Sequence, residues 1–233
     1  MGESTFRLVF GAHGVELAAA RACEAAVFAD AYGNTSAQFE AEYGVYEPDT
    51  IFLAVLDGSG RAVAAARVIR PGPAGLKSIN DLCRAPWRVD GVKSAAAAGV
   101  ELDRCWDVAT IAVRRDSGRA GVSAAALYHG LVAGCRANGI DFVVMIMDER
   151  ARRLLSASGI TTERLPGTAA GEYLGSPAST PLFGDLTTMF DVQRRLNPEA
   201  YRMVFQGVGL DGISLPRPEQ WRLSVEEPVP AFS

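Results

Sequence analysis

Residues 105–147 read CWDVATIAV (105–113), RRDSGRAG (114–121), VSAAALYHGLVAGCRA (122–137), NGID (138–141) and FVVMIM (142–147). The first run is apolar enough for a central strand. In the third, Ala124, Leu127, Tyr128, Leu131, Val132 and Cys135 fall at i, i+3, i+4, i+7, i+8 and i+11, one continuous helix face. Asn138-Gly139 ends that helix, and Phe142–Met147 reads as a second buried strand. A strand, a helix and a strand joined this way require two parallel neighbouring strands with a right-handed crossover.

Working outward, Asp148 is set to cap a helix over Glu149–Ser158, which Gly159 terminates. Upstream, Thr50–Leu56 and Arg61–Ile69 flank the turn Asp57-Gly58-Ser59-Gly60, a hairpin signal, and Arg70-Pro71-Gly72-Pro73 stops its second strand. Residues 15–31 form an alanine-rich helix, broken at Gly33 and Asn34. Residues 71–103 read as a long connection with one short helix near Ile79–Leu82. No repeat of fixed period is present. Beyond Pro166 the chain is richer in Gly and Pro; a strand over Thr187–Val192, a helix over Pro198–Phe205 and a loose tail over Pro228–Ser233 are expected.

With 233 residues and 48% hydrophobic content the chain can bury a large core. Its 27 acidic and 23 basic residues, net charge -4, argue against a nucleic-acid partner, which calls for a basic excess. No apolar run approaches the roughly 18 residues of a membrane span. MGESTFRLVF lacks the pattern of a signal peptide, so a cytoplasmic protein is expected. Cys23, Cys83, Cys105 and Cys135 form no CxxC pair and only His13 and His129 accompany them, so no metal site is expected.

The loop after Val113 carries the chemistry. A short Gly-containing loop entering a helix gathers free backbone N–H groups at the positive end of the helix dipole, an anion site suited to a pyrophosphate or phosphopantetheine phosphate. Gly118 and Gly121 allow close approach, and Arg114, Arg115 and Arg119 add charge. By itself, the loop reads better as an ordinary connection with solvated arginines.

A hairpin, a strand ending Ile111-Ala112-Val113, a Gly-containing loop, a helix, a strand and a helix together resemble the GNAT acyltransferase family. Arg115-Asp116-Ser117-Gly118-Arg119-Ala120 satisfies the family's Arg/Gln-x-x-Gly-x-Gly/Ala pattern; counting from the strand end gives Gly118-Arg119-Ala120-Gly121-Val122-Ser123 instead. Downstream, Asp148, Ala151, Leu155, Gly159 and Ile160 keep the spacing of Asn-x-x-Ala-x-x-x-Tyr-x-x-x-Gly-Phe. Leu155 stands where many such enzymes place a tyrosine that protonates the leaving thiolate.

The closest likeness is to acyl-homoserine lactone synthases and long-chain N-acyl amino acid synthases. Ala66-Arg67-Val68-Ile69 fits one of their strands, and Trp106-Asp107-Val108-Ala109-Thr110-Ile111-Ala112-Val113 follows another, with Asp107, Ala109 and Thr110 replacing Glu, Ser and Arg. These replacements argue against lactone synthesis itself and leave a broader N-acyltransferase. The resemblance spans about residues 6–165 and implies an α/β fold: a GNAT-like mixed sheet with a splayed central parallel strand pair and helices on both faces. Residues 1–165 would be the acyltransferase core, and 166–233 an extension completing the sheet and covering one end.

The resemblance further implies transfer of an acyl group from acyl-CoA, or from acyl-phosphopantetheine on an acyl carrier protein, to a small-molecule amine such as an amino acid. No tightly bound cofactor is implied. The thioester would lie beside Ile111, Ala112 and Val113, whose backbone polarises its carbonyl, and the phosphates at Gly118, Arg119, Ala120, Gly121, Val122 and Ser123. Thr110 would touch substrate, and Leu53, Val55 and the extension would line an acyl tunnel. A non-catalytic acyl-CoA or acyl-carrier binding protein is the alternative reading.

Arg67 and Asp107 are charged residues inside apolar strand patterns, and a buried charge needs compensation. Either they pair with each other or meet solvent at an edge, or they work: Asp107 as the base that takes a proton from the amine, Arg67 as a fork for an acceptor carboxylate. Glu40, Glu42, Glu47 and Asp49 read as a solvated acidic loop, His129 as a surface histidine, and Arg150, Arg152 and Arg153 as a solvated helix face or a contact for an acidic carrier protein.

Overall fold

The unbroken burial along the hairpin strands demands cover on both sides, and the fold supplies it. A computed structural model describes residues 6–223. In chain order the elements are β1 (Phe6–Phe10), α1 (Gly14–Tyr32), α2 (Ser36–Tyr43), β2 (Thr50–Asp57), β3 (Ala62–Ile69), α3 (Lys77–Asn80), α4 (Gly91–Ala97), β4 (Cys105–Val113) and α5 (Ala120–Ala137). There follow β5 (Phe142–Asp148), α6 (Glu149–Ala157), β6 (Glu163–Arg164), β7 (Gly171–Tyr173), β8 (Ser176–Asp185), α7 (Leu186–Leu196), α8 (Pro198–Gln206) and β9 (Ile213–Ser214).

The sheet runs β6-β8-β5-β4-β3-β2-β1-β9, with β7 paired to β8. Leu53 and Val55 of β2 point into the core under α5, while Phe52, Ala54 and Leu56 point to the core under α1. All eight residues of β3 are buried. Helix α5 sits close on β1 and β2 because Gly130 and Gly134 offer no side chain where Leu53, Leu8 and the Phe10 ring lie.

The parallel pair is open at one end. β4 meets β5 only at Cys105–Phe142, Trp106–Val143 and Asp107–Val144, whereas β5 pairs with β8 along its whole length. On its other side β4 carries a bulge: Arg67 is opposite Thr110 and Val68 opposite Val108, so Ala109 is the extra residue. The pairing of β4 with β5 stops at Asp107, two residues before the bulge. The expected splay is therefore present.

Several elements differ from the sequence reading. Thr187–Val192 is helix, not strand: Leu186, Met189, Phe190 and Gln193 are its buried residues, at helical spacing, and the Asp185 carboxylate accepts from Thr188 N–H at 2.8 Å. The β-branched Thr pair suggests a strand only in a window too short to show the period. The acidic stretch before the hairpin contains α2, held by a capping box between Thr35 and Gln38. The connection over 71–103 includes α4, capped by Asp90. The extension contributes β8, a strand of ten residues that lies between β5 and the short β6. The tail Pro228–Ser233 lies outside the described residues.

Candidate active site

Where β4 and β5 part, neither strand fills the space on the α5 side, and a narrow apolar cleft results. Val108 and Ile111 of β4 face Val143, Met145 and Met147 of β5 across it, and Tyr128, Leu131, Val132 and Cys135 of α5 roof it. The extension closes the far end with Leu186, Met189, Phe190 and Val204. Leu155, at the position of the family's tyrosine, is 5% exposed and forms part of the same wall. A leucine there makes the wall apolar and supplies no proton. Leu53 and Val55 do not line the cleft: both are fully buried between β2 and α5.

The loop beyond β4 leads to the N-terminus of α5 as the sequence suggests. Gly118 has φ 67°, the left-handed region where a glycine is favoured. The first helical bond runs from Ser123 N–H to Arg119 C=O, so the N–H groups of Ala120, Gly121 and Val122 precede the helical ladder. Ser123 is 1% exposed, and its hydroxyl has no hydrogen-bond partner among the described residues. Ala112 is buried in the core under α1, and Ile111 and Val113 are half-buried on the opposite side. Arg119 donates to the Asp211 carbonyl at 2.9 Å and lies over the Phe6 ring. Arg61 and Arg114 both bond Asp116, and the Arg114 hydrogen bond, then that from Arg61, holds its carboxyl well below the usual carboxylate range.

The other face of the sheet sets buried charges among its apolar side chains. Arg67 donates Nε and Nη2 to both oxygens of Glu24 at 2.9 and 2.8 Å, and Nη1 to Glu47 at 2.6 Å. It also lies between the Tyr43 and Phe52 rings, 4.5 and 4.7 Å from their centroids. Thr110 donates to Glu24 at 2.5 Å. The fork expected for a substrate carboxylate thus holds carboxylates of the protein itself, and Thr110 belongs to the same network. The physical reason is burial: at 3% exposure Arg67 needs internal counter-charge.

Asp107 does not pair with Arg67. The strand register sets it opposite Ile69, and its carboxylate accepts the Ser78 N–H at 2.6 Å and the Ser78 hydroxyl at 2.7 Å. It is 0% exposed. Burial pushes its carboxyl up to about 6, against the Ser78 hydrogen bonds, which lower it. Such a value suits a general base, but the group is sealed beneath α3 and reaches no opening. In the described geometry it anchors the start of α3.

Beside it, Lys77 bonds Asp81, Glu42 at 2.7 Å and Tyr173 at 3.2 Å, and Tyr173 donates to Asp81 at 2.6 Å. Glu42 and Glu47 are therefore structural partners of buried cations, not a solvated patch. His129 is also buried, its Nδ1 3.0 Å from the Val204 carbonyl and its ring edge-on to Trp221. Burial lowers its pKa.

Glu24, Lys77 and Tyr173 escaped the sequence reading. Glu24 carried a signal: it is the acid beside Cys23 and one turn from Ala20 on the buried face of an alanine-rich helix. Tyr173 carried none, because its partner Asp81 lies 92 residues away, and Lys77 carried only its i, i+4 spacing to Asp81, its other acid Glu42 lying 35 residues away.

No family model and no curated protein sequence matches the chain. Solved structures do. FeeM, an N-acyl amino acid synthase from uncultured soil microbes, superposes with a TM-score of 0.59 at 16% identity, covering 82% of this chain and 96% of that one. The AHL synthase LasI superposes with a TM-score of 0.57 at 12% identity, covering 83% and 95%. At such identities the likeness speaks for the backbone alone, and with the splayed β4–β5 pair it means that this chain has a GNAT-like fold, shared with those two synthases.

Proposed function

We propose that the protein is an N-acyltransferase that moves an acyl group from a pantetheine thioester to the amine of a small molecule. The observation that carries this is the wedge: beyond Asp107 the β5-facing edge of β4 has no strand partner, and an apolar cleft opens directly beneath it. A pantetheine arm bonds such an edge as an added strand would, and the acyl chain takes the cleft. The phosphates of the donor lie at the N–H groups of Ala120, Gly121 and Val122, with the unpartnered Ser123 hydroxyl beside them. Backbone N–H groups near Ile111–Val113 polarise the thioester carbonyl.

In the reaction the amine nitrogen attacks the carbonyl carbon; the N–C bond forms and the C–S bond breaks. The sulfur leaves as thiolate and takes up the proton that the amine gives up, so amide and free thiol result. Leu155 donates nothing to this step. Thiolate is a fair leaving group and takes its proton through solvent. The donor is acyl-CoA or an acyl carrier protein; the arginines Arg150, Arg152 and Arg153 on α6 suit an acidic carrier.

Incubation with acetyl-CoA, a long-chain acyl-CoA and a long-chain acyl carrier protein, with and without a panel of amines, tests this by thiol release. Amine-dependent release from the long-chain donors is the expected result. Tight donor binding with no release would make the protein a sensor, and release independent of amine would make it a hydrolase.

A further inference from the structure

The wall of the apolar cleft has an outer side. Helix α6 turns Leu155 inward, and α7 turns Leu186, Met189 and Phe190 inward. The two helices meet where Gln193 of α7 donates to the carbonyl of Ser158, the cap of α6, at 3.0 Å. Leu154 lies one turn before Ser158, and Leu196 lies three residues after Gln193. Both stand in water, 67% and 71% exposed. A lone exposed leucine is ordinary, but two beside one helix junction make a patch.

The same helices are basic. Together α6 and α7 hold five arginines, two acids and no lysine, net +3, in a chain whose net charge is -4. Arg152 and Arg153 share one acid, Glu149, at 3.5 and 3.9 Å, and Arg194 pairs with Asp191 at 3.2 Å. Arg150, one turn before Leu154, and Arg195, next to Leu196, are exposed and have no salt bridge among the described residues. The capping acids Asp148 and Asp185 are turned to backbone N–H groups.

Arginine beside exposed leucine has a definite chemical complement. The guanidinium fork bonds phosphodiester oxygens in pairs, and the leucines enter the boundary between headgroups and acyl chains. An acidic carrier protein complements the arginines; an anionic bilayer complements the arginines and the leucines alike. The patch is also the outer side of the cleft wall, which sets such a bilayer next to the cleft.

We propose that the outer side of α6 and α7 docks peripherally on an anionic phospholipid bilayer. The proposal goes beyond the transferase reading and stands without it.

The test is sedimentation of the full-length protein with phosphatidylcholine vesicles and with vesicles carrying about one third phosphatidylglycerol, in about 0.1 M salt. The anionic vesicles are expected to bind at least about tenfold more tightly, and about 0.5 M salt should remove most of that preference. Arg150→Glu with Arg195→Glu should weaken binding to the anionic vesicles at least about tenfold. Leu154→Ser with Leu196→Ser, which leaves the charge unchanged, should weaken it at least about fivefold. All four positions are exposed, so both variants should melt like the wild type. No vesicle binding, equal binding to the two vesicle types in about 0.1 M salt, or undiminished binding by both variants would each overturn the proposal. Binding of an acyl carrier protein together with no vesicle binding would overturn it too, and would give this face to the carrier.

Discussion

Asp107 shows how a single buried carboxyl ties stability to pH. Its folded-state value of about 6 lies above the ordinary 3.8, so the folded chain holds a proton that the unfolded chain has lost. The stability this contributes is complete below pH 4 and disappears as pH rises through 6; its size is about 3 kcal/mol. Asp107→Asn cannot ionise, yet its amide oxygen still accepts from Ser78. The stability of the variant relative to the wild type should therefore improve between pH 4 and pH 8 by up to about 3 kcal/mol, read from urea melts at both ends. A difference that stays flat would mean that the carboxylate is as well solvated inside as out. Arg67 illustrates the converse. Its charge was conspicuous in the strand pattern, but its partner Glu24 sits 43 residues earlier, and spacing alone could not join them.

At the scale of elements, β4, α5 and β5 follow their periodicity closely, because each is long and buries a continuous stripe. Short or mixed elements do not. α2 hides among charged residues because its stability comes from a capping box and from Phe39 and Tyr43 docking elsewhere. α7 hides behind β-branched residues. The glycines of α5 make the packing testable. A Cβ at Gly134 would sit 2.4 Å from the Phe10 ring, and that ring is already held against Trp106 and Trp221. Gly134→Ala gains about 1 kcal/mol in helix propensity but overpacks a fixed ring, for a net loss of about 1–2 kcal/mol. Chemical denaturation should show a lower midpoint with an unchanged slope. A stabilised variant would mean that α5 can slide outward over β1.

At the scale of the molecule, the segment after residue 165 is woven through the sheet. β8 pairs with every residue of β5, and β9 pairs with β1 at the opposite side. Leu186, Met189 and Phe190 of α7 and Val204 of α8 complete the apolar cleft. A chain ending at residue 165 would leave β5 as an open, apolar edge and the cleft without its end wall. Such a truncation is expected to aggregate and to lack the cooperative thermal transition expected of the full chain. A soluble, cooperatively melting fragment would show that the extension is an accessory.

The amino-acid sequence by itself determined the strand–helix–strand unit, the hairpin, the Asp148 cap and the glycine turn into α5, since each depends on neighbours within a few residues. Only the tertiary structure decided how far β4 and β5 part, which acids neutralise Arg67 and Lys77, and that Asp107 is sealed under α3. Those outcomes depend on a bulge at Ala109 and on groups brought together from distant parts of the chain. Hydrophobic periodicity says which face of an element is buried, and it is silent about what lies across from it.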